Sequence, residues 1–495
     1  MSTIPRHILS KSTFVRGCQC TKSLYLYKHQ PKLRAEISDQ QQAIFDQGTS
    51  IGELAQKLFP GGVDASPATP FEFQKSVVLT QRLISEGHKI IYEAAFQFDG
   101  VLCAIDILIQ KNKKWYAFEV KGSNSVKDQF ILDAALQYFV ITNSGILLAD
   151  ISIIHLNKEH VRKGELSIKE LFSTESVLEN VKSQQDFISQ KVEALKFMLQ
   201  QKKIPDVKIG EHCFTPYDCD FIDHCWEKVP KENSVFSLVR IGQKAFDLME
   251  EGIMHLDDIP DDFPLYPSTL FQLEHYKSGK EFIERDEIKN FLEQFTYPLH
   301  FFDFETYMPA VPAFDNSRPY QQIPFQYSLH VLQDRKKKTK HFEFLGDGVI
   351  DPREALINRM INDLGSTGSI IAYSKSFEQS RINDLARDFP KYSKQLLSIT
   401  ERFIDLAKPF QNKWYYHPAF EGLYSIKVVL PVVVPELSYQ SLDIQEGGTA
   451  SLVYSQLRYQ PKQTQILQRK QLLEYCKLDT LAMVKILEKL NMISK

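Results

Sequence analysis

Residues 100–123 read GVLCAIDILIQKNKKWYAFEVKGS, and the fold of the N-terminal half turns on them. Apolar residues dominate both sides of the basic turn QKNKK, which predicts two β-strands, 101–110 and 114–120, joined as a hairpin. Side chains alternate across a strand, so Glu119 and Lys121 share one face while Phe118 and Val120 fill the other. Asp106 sits in the partner strand. Two carboxylates and a lysine gathered at one hairpin suit phosphodiester hydrolysis. Asp106 and Glu119 offer the hard oxygen ligands that Mg²⁺ or Mn²⁺ prefers, and Lys121 can position a water or stabilise developing charge.

Outward from the hairpin, a strand-like stretch at 89–98 carries Glu93, and an early helical segment, GTSIGELAQKLFP, carries Glu53. Helical periodicity follows at 127–142, where Gln137 and Tyr138 continue an apolar stripe, and again at 177–201. This β-β-β-α order predicts an α/β core. The run of an early helix with Glu, then Asp, then Glu-x-Lys, then a Gln-Tyr helix resembles the PD-(D/E)XK superfamily. Within it the chain is similar to the RecB-like exonucleases and their CRISPR-associated relatives. That resemblance implies Asp106 and Glu119 as metal ligands, Lys121 as the catalytic lysine, and Gln137 and Tyr138 as the supporting motif. Many relatives carry a His on the early helix; this chain has Gly52-Glu53 there, which makes Glu53 a candidate substitute ligand.

The N-terminus, MSTIPRHILSKSTFVRG, has no apolar run of signal-peptide length, so a cytoplasmic location is expected. Seven cysteines in a chain of that compartment argue against a disulfide framework and for a metal or cluster site. In HCFTPYDCDFIDHCW, Cys213, Cys219 and Cys225 are each separated from the next by five residues. A fourth thiolate is available upstream in GCQCTKSLYLYKH, from Cys20 or Cys18. Three cysteines after the nuclease core and one before it resemble the RecB-like nucleases that hold a [4Fe–4S] cluster, which implies thiolate ligation by Cys20, Cys213, Cys219 and Cys225. A structural Zn²⁺ held by four Cys, or by three with His212 or His224, is the alternative. Cys103 and Cys476 read as core or site-adjacent thiols.

A second site lies in the C-terminal half. The strand LHFFDFET places Asp303 and Glu305 on one face among Phe301, Phe302 and Phe304, where carboxylates are costly unless something pairs them. Two metal ions would do so. The closing helix, QLLEYCKLDTLAMVKILEKL, carries Tyr475 and Asp479 four residues apart on one face. Between them, IIAYSKSFEQSRINDLA predicts a buried strand and a helix start bearing Glu378. This layout resembles the DnaQ-like (DEDD) exonucleases of the RNase H-like superfamily, in the subclass whose last motif is Tyr-x-x-x-Asp. The resemblance implies that Asp303, Glu305, Glu378 and Asp479 coordinate two divalent ions, that Tyr475 orients the attacking water, and that hydrolysis runs from a 3′ end. The family has Asp at the middle motif where this chain has Glu378, and Asp405 and Asp384 are alternative ligands.

The expected organisation is α/β and multidomain. A PD-(D/E)XK restriction-endonuclease-like domain with an iron–sulfur clamp spans 1–228, and an RNase H-like DEDD domain spans 297–495. A small helical connector lies between, at 229–296, either helix–hairpin–helix-like around Gly252-Ile253 or a compact linker. The chain resembles a bacterial family that fuses the two modules. A net charge of −3 does not announce a nucleic-acid partner, but local basic clusters at 111–114 (on the hairpin, expected beside Glu119), 202–203 and 335–340 are candidate phosphate contacts, and Tyr320, Tyr327 and Tyr373 candidate base-stacking residues. The apolar run VVLPVVVP is too short, and too interrupted by Pro431 and Pro435, to span a bilayer. The resulting expectation is a metal-dependent nuclease in repair, recombination or defence, with DNA favoured over RNA and no membrane partner. A binding protein with one retired site, the C-terminal one by preference, and a cluster-bearing scaffold are the competing readings.

Overall fold

The computed structural model describes residues 7–69, 72–335 and 337–495; residues 1–6 of the opening stretch and Lys336 of the third basic cluster lie outside them. The chain is a mixed α/β protein of two compact units, Met1–Lys228 with Ala310–Tyr320, and Val229–Pro309 with Gln321–Lys495. Among the described residues no helix is long and apolar enough to cross a membrane.

The first unit is built on a seven-stranded sheet of β1 (Leu9–Ser10), β2 (Val63–Asp64), β3 (Ile90–Phe98), β4 (Val101–Lys111), β5 (Lys114–Lys121), β6 (Leu148–Leu156) and β7 (Phe172–Ser176). Its order is β2-β3-β4-β5-β6-β7, with the short β1 pairing parallel to β4. The hairpin read from the sequence forms β4 and β5, closed by Asn112 and Lys113, both at positive φ as a tight two-residue hairpin turn requires. One sheet face packs on α1 (Lys11–Gln19), through Phe14, and on helices Asp128–Asn143 and Gln185–Gln200. The other face, including Phe118, packs on Ile51 and Ala55 of the helix Asp39–Gln56. The helical stretch expected at 177–201 is two helices, Leu178–Ser183 and Gln185–Gln200. Residues 310–320, expected in the C-terminal domain, group with the first unit: Ala310 is buried in its core, and Arg162 Nη1 donates to the Pro312 and Ala313 carbonyls at 3.0 and 2.9 Å.

The second unit has a two-stranded pairing of β8 (Phe282–Ile283) with β14 (Tyr415–Tyr416) and a five-stranded sheet. The five strands are β9 (Leu299–Tyr307), β10 (Ile323–Leu332), β11 (Lys340–Leu345), β12 (Ile370–Ala372) and β13 (Phe403–Asp405), in the order β11-β10-β9-β12-β13. β9 lies at the centre, antiparallel to β10 and parallel to β12. Helix Lys462–Ile493 begins well before the stretch read from the sequence, directly after Pro461. Residues 229–296 group with this unit and carry their own small core, from Val235 and Leu238 through Leu248 to Leu273. The second helix of the expected hairpin is only a 3₁₀ turn, Leu256–Asp258, after helix Gln243–Glu250.

Gly368 fixes the approach of β12 to the start of β9. Its φ is +84°, and a Cβ there would lie 2.0 Å from the Pro298 carbonyl oxygen. The flanking backbone cannot yield, because Ser369 N–H donates to Thr296 O at 2.8 Å and His300 N–H to Ser369 O at 2.9 Å. Gly368→Ala should therefore cost about 3 kcal/mol or more in urea denaturation of the chain. A loss below half of that would mean the two strands can part without penalty.

Candidate active sites and the four-cysteine site

The strand register aligns three carboxylates in a row. Tyr92 pairs with Ile107 and Ala94 with Ile105, which sets Glu93, at positive φ, across from Asp106. Ile107 pairs with Phe118, so Glu119 follows at the same level on β5. Asp106 Oδ2 accepts from the Val120 N–H at 2.5 Å. Glu119 is 2% exposed, and its Oε1 meets Lys11 Nζ at 2.5 Å and Lys121 Nζ at 2.9 Å. Its Oε2 accepts from Gln137 Nε2 at 2.5 Å, and the same amide donates to Ala104 O at 2.7 Å. Lys121 is also paired with Asp133. Burial alone would push Glu119 up, but Lys11, Lys121 and the Gln137 bond hold it at about 2. Burial and the Glu119 charge push Asp106 well above the carboxylate range and Glu93 up to about 7. Burial works against the Lys121 ammonium, yet Glu119 and Asp133 together outweigh it and the group is held above its ordinary range.

The four cysteines meet at one cavity, lined by Cys20, Cys213, Cys219 and Cys225 with Lys22, Lys208 and His212. Cys20 sits at the junction of α1 and α2 (Thr21–His29), with its Sγ accepting from the Ser23 N–H at 3.4 Å. Cys18 packs instead against the core of the first unit. Burial raises the Cys225 thiol, and Cys219, Cys213 and Cys20 raise it further, as expected of four sulfurs sharing one space. The segments around the cavity are tied to α1: Arg16 grips Asp220 at 2.5 and 3.0 Å, and Gln19 Nε2 donates to His212 O and Tyr217 O at 2.8 and 2.7 Å.

In the second unit, Asp303 and Glu305 project from one face of β9 toward Tyr475 and Asp479 of helix Lys462–Ile493. Glu378 joins them from the first turn of helix Ser376–Asp388. Glu305, Glu378 and Asp479 are buried and Asp303 partly so. Asp303, Glu305 and Cys476 bring ligand atoms within 4.8 Å of one another. Asp479 Oδ1 accepts from the Tyr439 hydroxyl at 2.6 Å, while Asp479 Oδ2 and Glu378 Oε2 are buried without a hydrogen-bond partner. Lys427 Nζ lies 5.8 and 5.7 Å from the ring centroids of Tyr439 and Tyr475. Burial and mutual repulsion raise Asp303 and Glu305 well above their ordinary range. Burial raises Glu378 to about 8 and Asp479 to about 7, the latter against the pull of Tyr439 and Lys427.

Carboxylates with raised native pKa stabilise the fold only while protonated. From the shifts of Glu378 and Asp479, the protein in chelator should lose stability as pH rises from about 4 through 8. Melting curves across that range check this; a melting temperature that climbs with pH in chelator would refute it.

Several expected residues fall elsewhere. Tyr138 packs against the core rather than beside Gln137's partners, and Glu53 is exposed on helix Asp39–Gln56. Asp405 is taken up by the Ser374 and Ala407 N–H groups at 2.9 and 3.0 Å, and Asp384 by Arg381 and Arg387 at 2.8 and 2.9 Å. Tyr327 is fully buried, with its hydroxyl on Asp363, so it has no free face to stack. The 111–114 turn is at the far end of the hairpin from Glu119, roughly 16 Å away at strand rise, and not beside it. Lys11, Lys427 and Tyr439 carried no local signal in the sequence. Asp133 did, since it stands one helical turn before Gln137.

Residues 300–425 match a family described as a domain of unknown function, DUF2779. The chain is 29% identical over 206 residues to the "Uncharacterized protein MG366 homolog" of Mycoplasma pneumoniae, covering 38% of this chain and 31% of that protein. It is 28% identical over 200 residues to "Uncharacterized protein MG366" of Mycoplasma genitalium, covering 37% and 30%. It is 31% identical over 170 residues to "Uncharacterized protein UU173" of Ureaplasma parvum, covering 30% and 24%. The matches span a third or less of these relatives' own length.

Proposed function

We propose that the chain is a metal-dependent nuclease with two sites, a PD-(D/E)XK site in the first unit and a DEDD-type site on an RNase H-like sheet in the second. The observation that carries the reading is in the second unit. Asp303, Glu305, Glu378 and Asp479, from three separate elements, converge where two buried oxygens, Glu378 Oε2 and Asp479 Oδ2, have no protein partner. Uncompensated buried carboxylates are expensive, and hard divalent cations are the chemistry that offsets them. The central position of β9, with its two carboxylates, supports the RNase H-like assignment.

Divalent ions such as Mg²⁺ or Mn²⁺ would supply an acidified water and neutralise phosphate charge. The residues then divide the remaining work. Tyr439 holds Asp479 in place through its hydroxyl. Burial and the neighbouring carboxylates raise the Tyr475 phenol, so it stays protonated and orients a water rather than deprotonating it. In the first unit Asp106 and Glu119 are the ligands, Gln137 locks Glu119, and Lys121 stays charged, acting by electrostatics rather than as a base. The placement of Glu378 beside Asp303 and Glu305 supports a working C-terminal site over the second reading, in which that site is retired.

We infer a [4Fe–4S] cluster at Cys20, Cys213, Cys219 and Cys225. The four thiols line one cavity, and thiolate ligation is what such a cluster requires; a Zn²⁺ held by the same thiols is the alternative. Nucleic acid, DNA in preference to RNA, is the proposed substrate.

Anaerobically purified protein should degrade end-labelled single-stranded DNA with Mn²⁺, and Asp106→Ala and Asp303→Ala should each remove a distinct part of the product ladder. If one substitution is silent, that unit binds rather than cuts. If neither DNA nor RNA is degraded, the nuclease reading fails.

A further inference from the structure

We propose that Lys11 is a built-in cation of the N-terminal site, taking the charge-balancing place of a second divalent ion and limiting that site to one. The proposal rests on the reading of Asp106 and Glu119 as metal ligands.

Glu119 is nearly saturated by the protein. A carboxylate has about four lone-pair positions. Lys11 and Lys121 both approach Oε1, at 2.5 and 2.9 Å, and Gln137 takes one position on Oε2. Asp106 has one oxygen engaged by the Val120 N–H. What remains, one position on Glu119 and the free oxygen of Asp106, suffices for a single ion. Charge points the same way: Asp64, Glu93, Asp106, Glu119 and Asp133 surround Lys11 and Lys121, and Lys11 offsets negative charge that a further cation would otherwise offset. In the second unit Lys427 Nζ instead donates to Gln445 O at 2.6 Å, and Asp479 Oδ2 and Glu378 Oε2 are buried without a hydrogen-bond partner.

Lys11 cannot simply swing away with its helix. It opens α1, where Ser10 and Thr13 form a reciprocal capping box. Phe14 is fully buried, and a Cβ on Gly17 would stand 2.6 Å from Leu195, so the helix lies close against its neighbour. Arg16 and Gln19 tie the far end to the cysteine segments, as described above. The ammonium is thus delivered to Glu119 by a helix fixed along its length.

The test uses the cluster-loaded chain carrying Asp303→Asn and Asp479→Asn, which removes the second unit's ions. Free Mn²⁺ is followed by electron paramagnetic resonance during titration, with no activity measured. Lysine at position 11 should give one bound ion per chain. Lys11→Met should give two, and so should Lys11→Gln, which keeps a neutral donor to Glu119 if the apolar variant misfolds. A count that stays at one in both variants, or a count of two with Lys11 present, overturns the proposal and leaves the metal reading intact. A count of zero in all three overturns both.

Discussion

On the proposed nuclease reading, Asp303→Asn is expected to remove most nucleolytic activity of the second unit and to stabilise the metal-free protein at the same time. Measured in an Asp106→Ala background, the loss should be roughly 10³-fold, since removing one ligand from a charge-neutralising metal site forfeits several kcal/mol of transition-state stabilisation. The gain in stability has a different origin. Burial, then Asp479, Glu378 and Glu305, push Asp303 well above its ordinary range, so its ionised form is a burden to the fold when no cation is bound. Asparagine removes one like charge while keeping the shape. At pH 8 in chelator the melting temperature should rise; below about pH 3, where the carboxyl is protonated in both states, the gain should vanish. A variant that is inactive and also less stable at pH 8 would place the residue's role in packing, not in holding a cation.

On the inferred cluster assignment, Cys213→Ser should release iron and sulfide and strip the first unit of about 3–5 kcal/mol, whereas Cys18→Ser should do neither. Cys213 and Cys20 bracket about 190 residues, and a cross-link closing a loop of that length constrains the unfolded chain by about 5 kcal/mol. The observed loss should be somewhat smaller, because Arg16–Asp220 and the two Gln19 bonds still hold α1 to the cysteine segments. Trp226, adjacent to Cys225 and packed edge-on against Phe214 at 5.3 Å, is a local fluorescence probe for denaturant titration. Iron retained by Cys20→Ser but lost from Cys18→Ser would reverse the assignment of the upstream ligand.

Much of each site was legible because short-range geometry carries it. Strand alternation alone put Glu119 and Lys121 on one face, and the same period paired Asp303 with Glu305. Helical spacing placed Tyr475 with Asp479, and would have placed Asp133 with Gln137. These relations follow from the covalent dihedrals of a few consecutive residues, so they survive without knowledge of the fold. The hairpin 101–120 was legible for the same reason, its strands forming within a residue of the expected limits.

Other features depended on which distant segments share a surface, and no local period encodes that. Cys18 and Cys20 are two positions apart, but only the turn between α1 and α2 aims Cys20 at the other three thiols. Lys11 reaches Glu119 across more than a hundred residues because β1 adds to β4 and sets the direction of α1. Tyr439 and Lys427 meet Asp479 and Tyr475 through the packing of loops and helices around the closing helix. Residues 310–320 looked like an ordinary link between two strands, yet their apolar Ala310 finds its burial in the other unit's core. Periodicity assigned elements and faces, since it is set by the backbone; partners between elements were assigned by burial and charge pairing, which exist only once the chain has folded.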